Sequence, residues 1–331
     1  MAQRALITGI SGFVGGFLAE HLLDAGDEVL STSPDGRWMD SSPPGLVSRV
    51  EVLPWDLSQT SGSADATRRC IKGFEPEVIY HLAALSIPAD CGRDRATEAA
   101  VAVNVDGTAR VIALADSLCD AQKVAPRLVF ISSSHVYRPV TFESPRVDET
   151  APLAPVHGYG QTKLEAERLV LTAARQGRFE AVVARAFQHT GPRQSPRMML
   201  PQWAGQLVAF ENEPSDDQII EVHTLDALVD ISDVRDVVRA YRLLAGQGRN
   251  GEIYNVGSGL ARRSGDLLDL LMQIGGTRRP VVELRPGAKQ DPVADISRLQ
   301  SETGWRPQIP VEQTIEDTLQ YWREQINSTE Q

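Results

Sequence analysis

Tyr159 and Lys163 stand four residues apart at the start of a segment with helical periodicity, so both project from one face. A phenol ionises near pH ~10, and a neighbouring ammonium favours the charged form that a tyrosine needs to exchange protons near neutral pH. Upstream, Ile131-Ser132-Ser133-Ser134-His135-Val136-Tyr137 places hydroxyls at the end of an apolar run. A hydroxyl there can donate to a reacting carbonyl oxygen and stabilise the charge that develops on it. The chemistry these residues share is proton transfer at a carbonyl. The competing readings are an exposed Tyr–Lys helix pair and a polar strand end.

A second constellation opens the chain. Thr8-Gly9-Ile10-Ser11-Gly12-Phe13-Val14-Gly15 is a GxxGxxG turn. Its glycines permit a tight bend, close approach of backbone to a pyrophosphate, and close packing of a helix on a strand. The helix that follows would then present its N-terminus to the phosphates. Asp56, in Pro54-Trp55-Asp56-Leu57, follows an apolar run, where a carboxylate either accepts from an adenine amino group or caps a helix.

The elements that must position these groups alternate. Ala5 to Thr8, Glu28 to Ser31, Val50 to Leu53, Glu77 to Tyr80, Arg127 to Ser132 and Ala181 to Arg185 read as buried strands. Helical stretches start at Phe13 and recur near 64–73, 97–118 and 160–176. This rhythm predicts an α/β fold, a doubly wound Rossmann parallel sheet whose carboxyl-end loops form the ligand crevice. After residue 186 the pattern loosens. Short strands (219–224, 252–256, 281–284) and helices (200–211, 233–245, 265–274, 313–325) predict a smaller C-terminal α+β substrate lobe. The expected division is a dinucleotide-binding domain over 1–186, with later segments returning to it, and a substrate-binding lobe over 187–331.

Composition narrows the partners. The chain has 331 residues, and 33 basic against 44 acidic side chains give a formal charge of −11. That balance lacks the electropositive footprint of a nucleic-acid binder. Three cysteines, Cys70, Cys91 and Cys119, form no CxxC pair, so neither a disulfide framework nor a metal site is expected. No apolar run approaches the ~20 residues of a membrane span. The expectation is a soluble, cytoplasmic protein.

Glycine turn, Asp56, strand-end serine and Tyr-x-x-x-Lys occur in the order and spacing of the extended short-chain dehydrogenase/reductase family, the NAD-dependent epimerases and dehydratases. The chain resembles that family over essentially its whole length. Also similar are His81-Leu82-Ala83-Ala84, Val103-Asn104-Val105-Asp106-Gly107-Thr108, Arg185 to Pro196, Asp233 to Tyr241, Tyr254 to Gly259 and Thr303-Gly304-Trp305-Arg306-Pro307. The nearest likeness is to the branch of GDP-4-dehydro-6-deoxy-D-mannose reductases and GDP-mannose 4,6-dehydratases, with the reductases nearer.

The resemblance implies roles. Ser133, Tyr159 and Lys163 would be catalytic, and Asn104 would hold a proton-relay water. Gly9, Ser11, Gly12, Phe13, Val14, Gly15, Ser33, Arg37, Asp56, Leu57, Leu82, Ala83, Ala84, Ser86 and Ala186 would contact the dinucleotide. Ser134, His135, Gln188, Arg193 and Arg285 would meet a nucleotide diphosphate sugar, expected to be GDP-linked and clasped by the two arginines. NAD-specific members end the second strand with an acidic residue. Here that position is Ser33, and Arg37 could reach a 2′-phosphate, which favours NADP over the alternative, NAD. Asp35 is the competing reader of the ribose. The implied assembly is a homodimer through the helices near 97–118 and 160–176.

Departures bear on the reaction. Gln188 stands where the family carries Asn, Val229 where it carries Arg, and Arg138 where a Gly follows Tyr137; Val156-His157-Gly158 replaces a Ser-Pro pair. Dehydratases place a carboxylate two residues before the strand-end tyrosine, and here that residue is His135. The expected reaction is therefore NAD(P)H-dependent reduction of a 4-keto sugar nucleotide. The alternatives are a 4-epimerase, a 4,6-dehydratase and, in another class, a catalytically silent dinucleotide-binding protein.

Overall fold

The computed structural model describes residues 2–39, 42–59, 64–119, 125–213, 215 and 217–329. In chain order the first part contains β1 (Arg4–Thr8), α1 (Phe13–Asp24), β2 (Glu28–Ser33), α2 (Pro44–Val47), β3 (Glu51–Pro54), α3 (Ala64–Phe74) and β4 (Val78–His81). It continues with α4 (Glu98–Val101), α5 (Gly107–Cys119), β5 (Arg127–Ser133), β6 (Arg146–Val147), α6 (Gly158–Gln176) and β7 (Glu180–Ala186). The second part adds β8 (Gln188–Thr190), α7 (Met199–Asn212), β9 (Ile220–Val222), β10 (Ala227–Asp233), α8 (Val234–Gln247), β11 (Ile253–Val256) and β12 (Ala261–Arg263). It closes with α9 (Ser264–Ile274), β13 (Val281–Glu283), β14 (Lys289–Gln290), β15 (Val293–Ala294), α10 (Ser297–Thr303) and α11 (Val311–Thr329).

Among the described residues the main sheet has seven strands in the order β11-β7-β5-β4-β1-β2-β3, every neighbouring pair parallel. A strand buried on both faces must be apolar at every position, and β1 shows how that is used. Leu6 packs with Ile79, Leu128 and Phe130 under Val111, Leu114 and Leu118 of α5 and Val170 of α6. Its neighbour Ile7 joins Val129 on the opposite face, with Phe17, Leu18 and Leu22 of α1 and Val237, Tyr241 and Leu244 of α8. Each such side chain contributes about 1.5–3 kcal/mol on burial. Strand order reverses between β1 and β4, which opens a crevice at their carboxyl ends.

The second lobe has its own core. Trp203, Leu207, Ile220, Val222, Val229, Leu267, Leu271, Ile315 and Leu319 are buried together. Within it β10 pairs with β8, β12 and β14. Val229, where the family likeness called for an arginine, is 2% exposed in that core, so this position has no room for a guanidinium reaching toward a ligand.

Two elements depart from the sequence reading. The helix expected over 97–118 is broken into α4, a π-helical turn at Ala102–Asp106, and α5. The segment at 252–256, expected among the strands of the small lobe, forms β11 and pairs with β7 at the edge of the main sheet.

Candidate active site

At the end of β1 the chain reverses through Gly9, whose φ is +83°. A Cβ there would sit 2.7 Å from the backbone of Ala83, so only glycine lets this turn lie against the loop after β4. The Gly9 and Ile10 amides both donate to the Thr32 carbonyl, and the Gly15 amide donates to the Gly12 carbonyl at 3.2 Å. Gly12 is the N-cap of α1 and supplies no side-chain cap. The first amides of that helix are therefore left for an anion, with Ser11, Phe13 and Val14 half-buried around them. The Leu82 amide donates to the Thr8 carbonyl at 3.2 Å, and Ala83 to Thr8 Oγ1 at 3.4 Å. Ala84 is half-buried and Ser86 exposed beyond them, while Ala186 is buried at the end of β7.

At the other end of the crevice Ser33 is buried, accepts from the Arg37 amide at 2.8 Å and donates to Asp35 Oδ1 at 3.3 Å. Asp35 Oδ1 also accepts from the Arg37 amide at 3.1 Å. The Arg37 side chain is exposed. Asp56 holds its own turn by accepting from the Ser58 amide and hydroxyl at 2.8 and 2.7 Å and from Gln59 at 2.8 Å. The Ser58 hydroxyl, chief among these donors, lowers the carboxyl below the usual carboxylate range. Leu57 is buried, and its carbonyl accepts from Arg110.

The proton-transfer residues meet where β5 ends. Gly160 allows α6 to touch the strand end, since a Cβ there would fall 2.2 Å from the His135 carbonyl. The Tyr159 phenol lies beside the Ser133 hydroxyl, and burial pushes its pKa up to about 12. Lys163 donates to the Ile131 carbonyl at 2.6 Å and lies 5.0 Å from the Phe130 ring centroid. Burial lowers its ammonium to about 8, against the opposing pull of Glu167. The three serines separate cleanly. Ser132 donates to Glu167, Ser133 lies beside Tyr159 and accepts from the His135 amide, and Ser134 is buried in the turn that follows.

Asn104 is buried against the loop after β4. Its Oδ1 accepts from the Leu85 amide at 2.8 Å, and its Nδ2 donates to the Leu85 carbonyl at 3.1 Å and to Thr162 Oγ1 at 3.0 Å. Through these groups the carboxamide braces the loop after β4 against α6. The inward turn of this side chain comes from the π-helical segment. One turn on, Thr108 Oγ1 donates to the Asn104 carbonyl, so it accepts from His81 Nε2 at 2.9 Å. His81 Nδ1 then accepts from Thr8 Oγ1 at 2.7 Å. Burial lowers the His81 pKa to about 3, so the ring is neutral.

Beneath Lys163 lies an ion pair that the sequence reading did not identify. Arg185 and Glu167, each 1% exposed, meet at 2.8 and 3.0 Å, and Arg185 also donates to the Tyr137 hydroxyl at 3.0 Å. The Tyr137 hydroxyl donates to Asn255 Oδ1 on β11 at 2.6 Å. Glu167 could have been found, since it repeats the four-residue step from Tyr159 to Lys163.

The residues expected at the sugar divide. His135 packs edge-on against Tyr159 with ring centroids 5.6 Å apart, and burial lowers its pKa. Gln188 donates to Asp291 at 2.7 Å. Arg285 is exposed, just beyond β13. Arg193 donates to Glu20 of α1 from both terminal nitrogens, and its guanidinium lies over the Phe17 ring at 3.7 Å. Asp291, which the sequence reading did not single out, lies 3.0 Å from Lys289 as well as accepting from Gln188.

No described helix is long and apolar enough to cross a membrane. Residues 5–257 match the family of NAD dependent epimerases and dehydratases. A GDP-6-deoxy-D-mannose reductase of Pseudomonas aeruginosa is 27% identical, covering 98% of this chain and 99% of its own. A dTDP-glucose 4,6-dehydratase of Streptomyces griseus is also 27% identical, over 97% and 94%. Among solved structures, RMD from Pseudomonas aeruginosa complexed with NADPH aligns with a TM-score of 0.79 and 26% identity over 98% of this chain and 100% of that one. A UDP-glucose 4-epimerase from Thermotoga maritima shares the fold, with a TM-score of 0.82 at 21% identity over 98% and 99%. The glycine turn on a seven-stranded parallel sheet, the Ser133–Tyr159–Lys163 cluster at its carboxyl edge and a match spanning most of the chain agree, and the chain belongs to the NAD dependent epimerase/dehydratase family.

Proposed function

We propose that the protein is a nucleotide-sugar oxidoreductase that reduces the 4-keto group of a GDP-4-keto-6-deoxy-hexose with NADPH, NAD being the alternative cofactor. The observation that carries this reading is the contact of α6 with the end of β5, where Gly160 lies against the His135 carbonyl, Lys163 donates to the Ile131 carbonyl at 2.6 Å, and burial beside Ser133 pushes the Tyr159 phenol up to about 12. Reduction of a ketone consumes a proton, and a tyrosine that is protonated at neutral pH is the acid such a step requires. Ser133 holds the carbonyl oxygen against that acid. Lys163, one helical turn along and cationic below about pH 8, stabilises the phenolate left behind.

The open amides of α1 and the close approach of Gly9 to Ala83 fit a dinucleotide pyrophosphate. NADPH supplies the hydride when bound. The exposed Arg37 side chain beyond uncharged Ser33 favours a 2′-phosphate, and the NADPH complex of the Pseudomonas aeruginosa relative supports the same choice. Asp56, Leu57, Leu82, Ala83, Ala84, Ser86 and Ala186 would complete that side. His135 in place of a carboxylate favours reduction over dehydration, and Arg285 offers a cation to the diphosphate. Residues 1–186 with the returning α8 and β11 would bind the dinucleotide, and most of 187–331 the sugar nucleotide. A cytoplasmic homodimer through α5 and α6 completes the reading.

The test follows NADPH absorbance with GDP-4-keto-6-deoxymannose and identifies the product. Stoichiometric loss of NADPH with formation of the 6-deoxyhexose is expected. Interconversion of hexose epimers with no net cofactor oxidation, on a tightly retained NAD, would overturn reduction in favour of epimerisation.

A further inference from the structure

Asp291, just past β14, is held from two sides. Gln188 Nε2 donates to its Oδ2 at 2.7 Å, and Lys289 Nζ lies 3.0 Å from its Oδ1. The carboxylate side chain is 18% exposed, whereas Lys289 is 62% exposed. Its own amide is fixed by the Leu228 carbonyl of β10 at 3.0 Å. Gln188 links this group to the reacting end, since it lies two residues beyond Ala186, the register partner of Ser133 across β7 and β5. A negative charge of the second lobe is therefore tied to the segment that leaves the main sheet beside Ser133.

An ionised carboxylate is an acceptor with about four lone-pair sites. Gln188 takes one on Oδ2 and Lys289 reaches both oxygens, at 3.0 and 3.3 Å, which leaves acceptor capacity on Oδ1 of a partly buried group. A carboxylate repels phosphate and carbonyl oxygens and attracts hydroxyl donors, so the part of a sugar nucleotide suited to this position is the hydroxyl-bearing edge of the hexose.

We propose that Asp291 is a specificity-determining residue that accepts a hydrogen bond from a hexose hydroxyl, with Gln188 and Lys289 fixing its position. This rests on the nucleotide-sugar reading above and adds the feature by which the site tells one sugar from another. The amide and ammonium keep the carboxylate from rotating, so the donor hydroxyl is selected by position as well as by presence.

The experiment measures binding by calorimetry to the NADPH-loaded protein, a complex that cannot turn over an alcohol. The probes are the GDP, UDP and dTDP forms of 6-deoxymannose, together with the 2-deoxy and 3-deoxy counterparts of whichever nucleotide binds. Wild type is expected to lose about 10–100-fold in affinity for one of the two deoxy sugars, the size of a hydrogen bond to a charged group. In Asp291→Asn, which retains an acceptor for Gln188, the hydroxylated sugar should weaken by a similar factor and the deoxy sugar should not weaken further, with NADPH affinity unchanged. Gln188→Ala should reproduce part of the same selective loss. Equal weakening of hydroxylated and both deoxy sugars by Asp291→Asn, or no discrimination by wild type, would overturn the subsite while leaving the nucleotide-sugar reading standing. Failure of wild type to bind any of the three nucleotide sugars would overturn that reading and the subsite with it.

Discussion

Arg193 grips Glu20 through two hydrogen bonds of 2.9 and 2.7 Å, joining residues 173 positions apart in the chain. The bond ties the loop after β8 to α1, and Arg193 is held there with φ at +66°. Removing one partner of a largely buried ion pair strands the other charge. Arg193→Ala is therefore expected to lower stability by about 1–3 kcal/mol, a shift of several degrees in the thermal midpoint, while affecting sugar-nucleotide affinity less than Arg285→Ala does. Arg285 is exposed, so its replacement should leave the midpoint in place. Melting curves and titrations of the two variants check this, and a larger affinity loss in Arg193→Ala would restore that residue to the diphosphate.

Deleting one oxygen in Tyr159→Phe should depress turnover roughly 10² to 10⁴-fold with dinucleotide affinity nearly intact. Ser133→Ala should reduce turnover more than Ser132→Ala or Ser134→Ala. Ser132 faces Glu167, so its loss should appear chiefly as reduced stability. Steady-state rates and melting curves for the four variants separate these roles, and equal rate losses at the three serines would make them a structural cluster.

Arg37→Ala should weaken NADPH binding about tenfold and leave NADH within about twofold, as expected for one lost charge-assisted phosphate contact. Fluorescence titration with both nucleotides is the check. A wild type that prefers NADH, or a variant that loses both equally, would assign the ribose to Asp35.

His81 bears on acid stability. Its pKa near 3 in the folded protein lies below the unfolded value of 6.5, so between those limits the unfolded chain binds the extra proton. Its contribution is complete above pH 6.5 and is lost as pH falls toward 3. Denaturant titrations between pH 7 and 4 should show stability falling more steeply in wild type than in His81→Asn, and parallel slopes would mean that His81 is not buried neutral.

What could be read from the chain was local. Gly9 to Gly15, the Tyr159–Lys163 step and the strand-helix rhythm involve neighbours within one turn or one element, and all three appear in the structure. Arg193 and Asp291 were opaque because their partners Glu20 and Gln188 lie 173 and 103 residues away. Nothing in a sequence says which of many arginines will be neutralised. β10 escaped notice because it joins partners on several sides without simple alternation, and with it went the inward direction of Val229. The break at Ala102–Asp106 carries no proline or unusual glycine, so apolar spacing alone extends one helix through it.

β11 reaches the main sheet only after β8, α7, β9, β10 and α8 have been made. During synthesis β7, whose residues from Ala181 to Ala186 are all buried in the finished fold, must wait with one edge unpaired while nearly seventy more residues emerge. At about 5–20 residues per second that interval lasts several seconds, long enough for an apolar strand edge to find a second nascent chain. A fragment ending near residue 186 would keep that edge open permanently. The glycine turn is encoded within the first fifteen residues, but the sheet that carries it is closed from the far end of the chain.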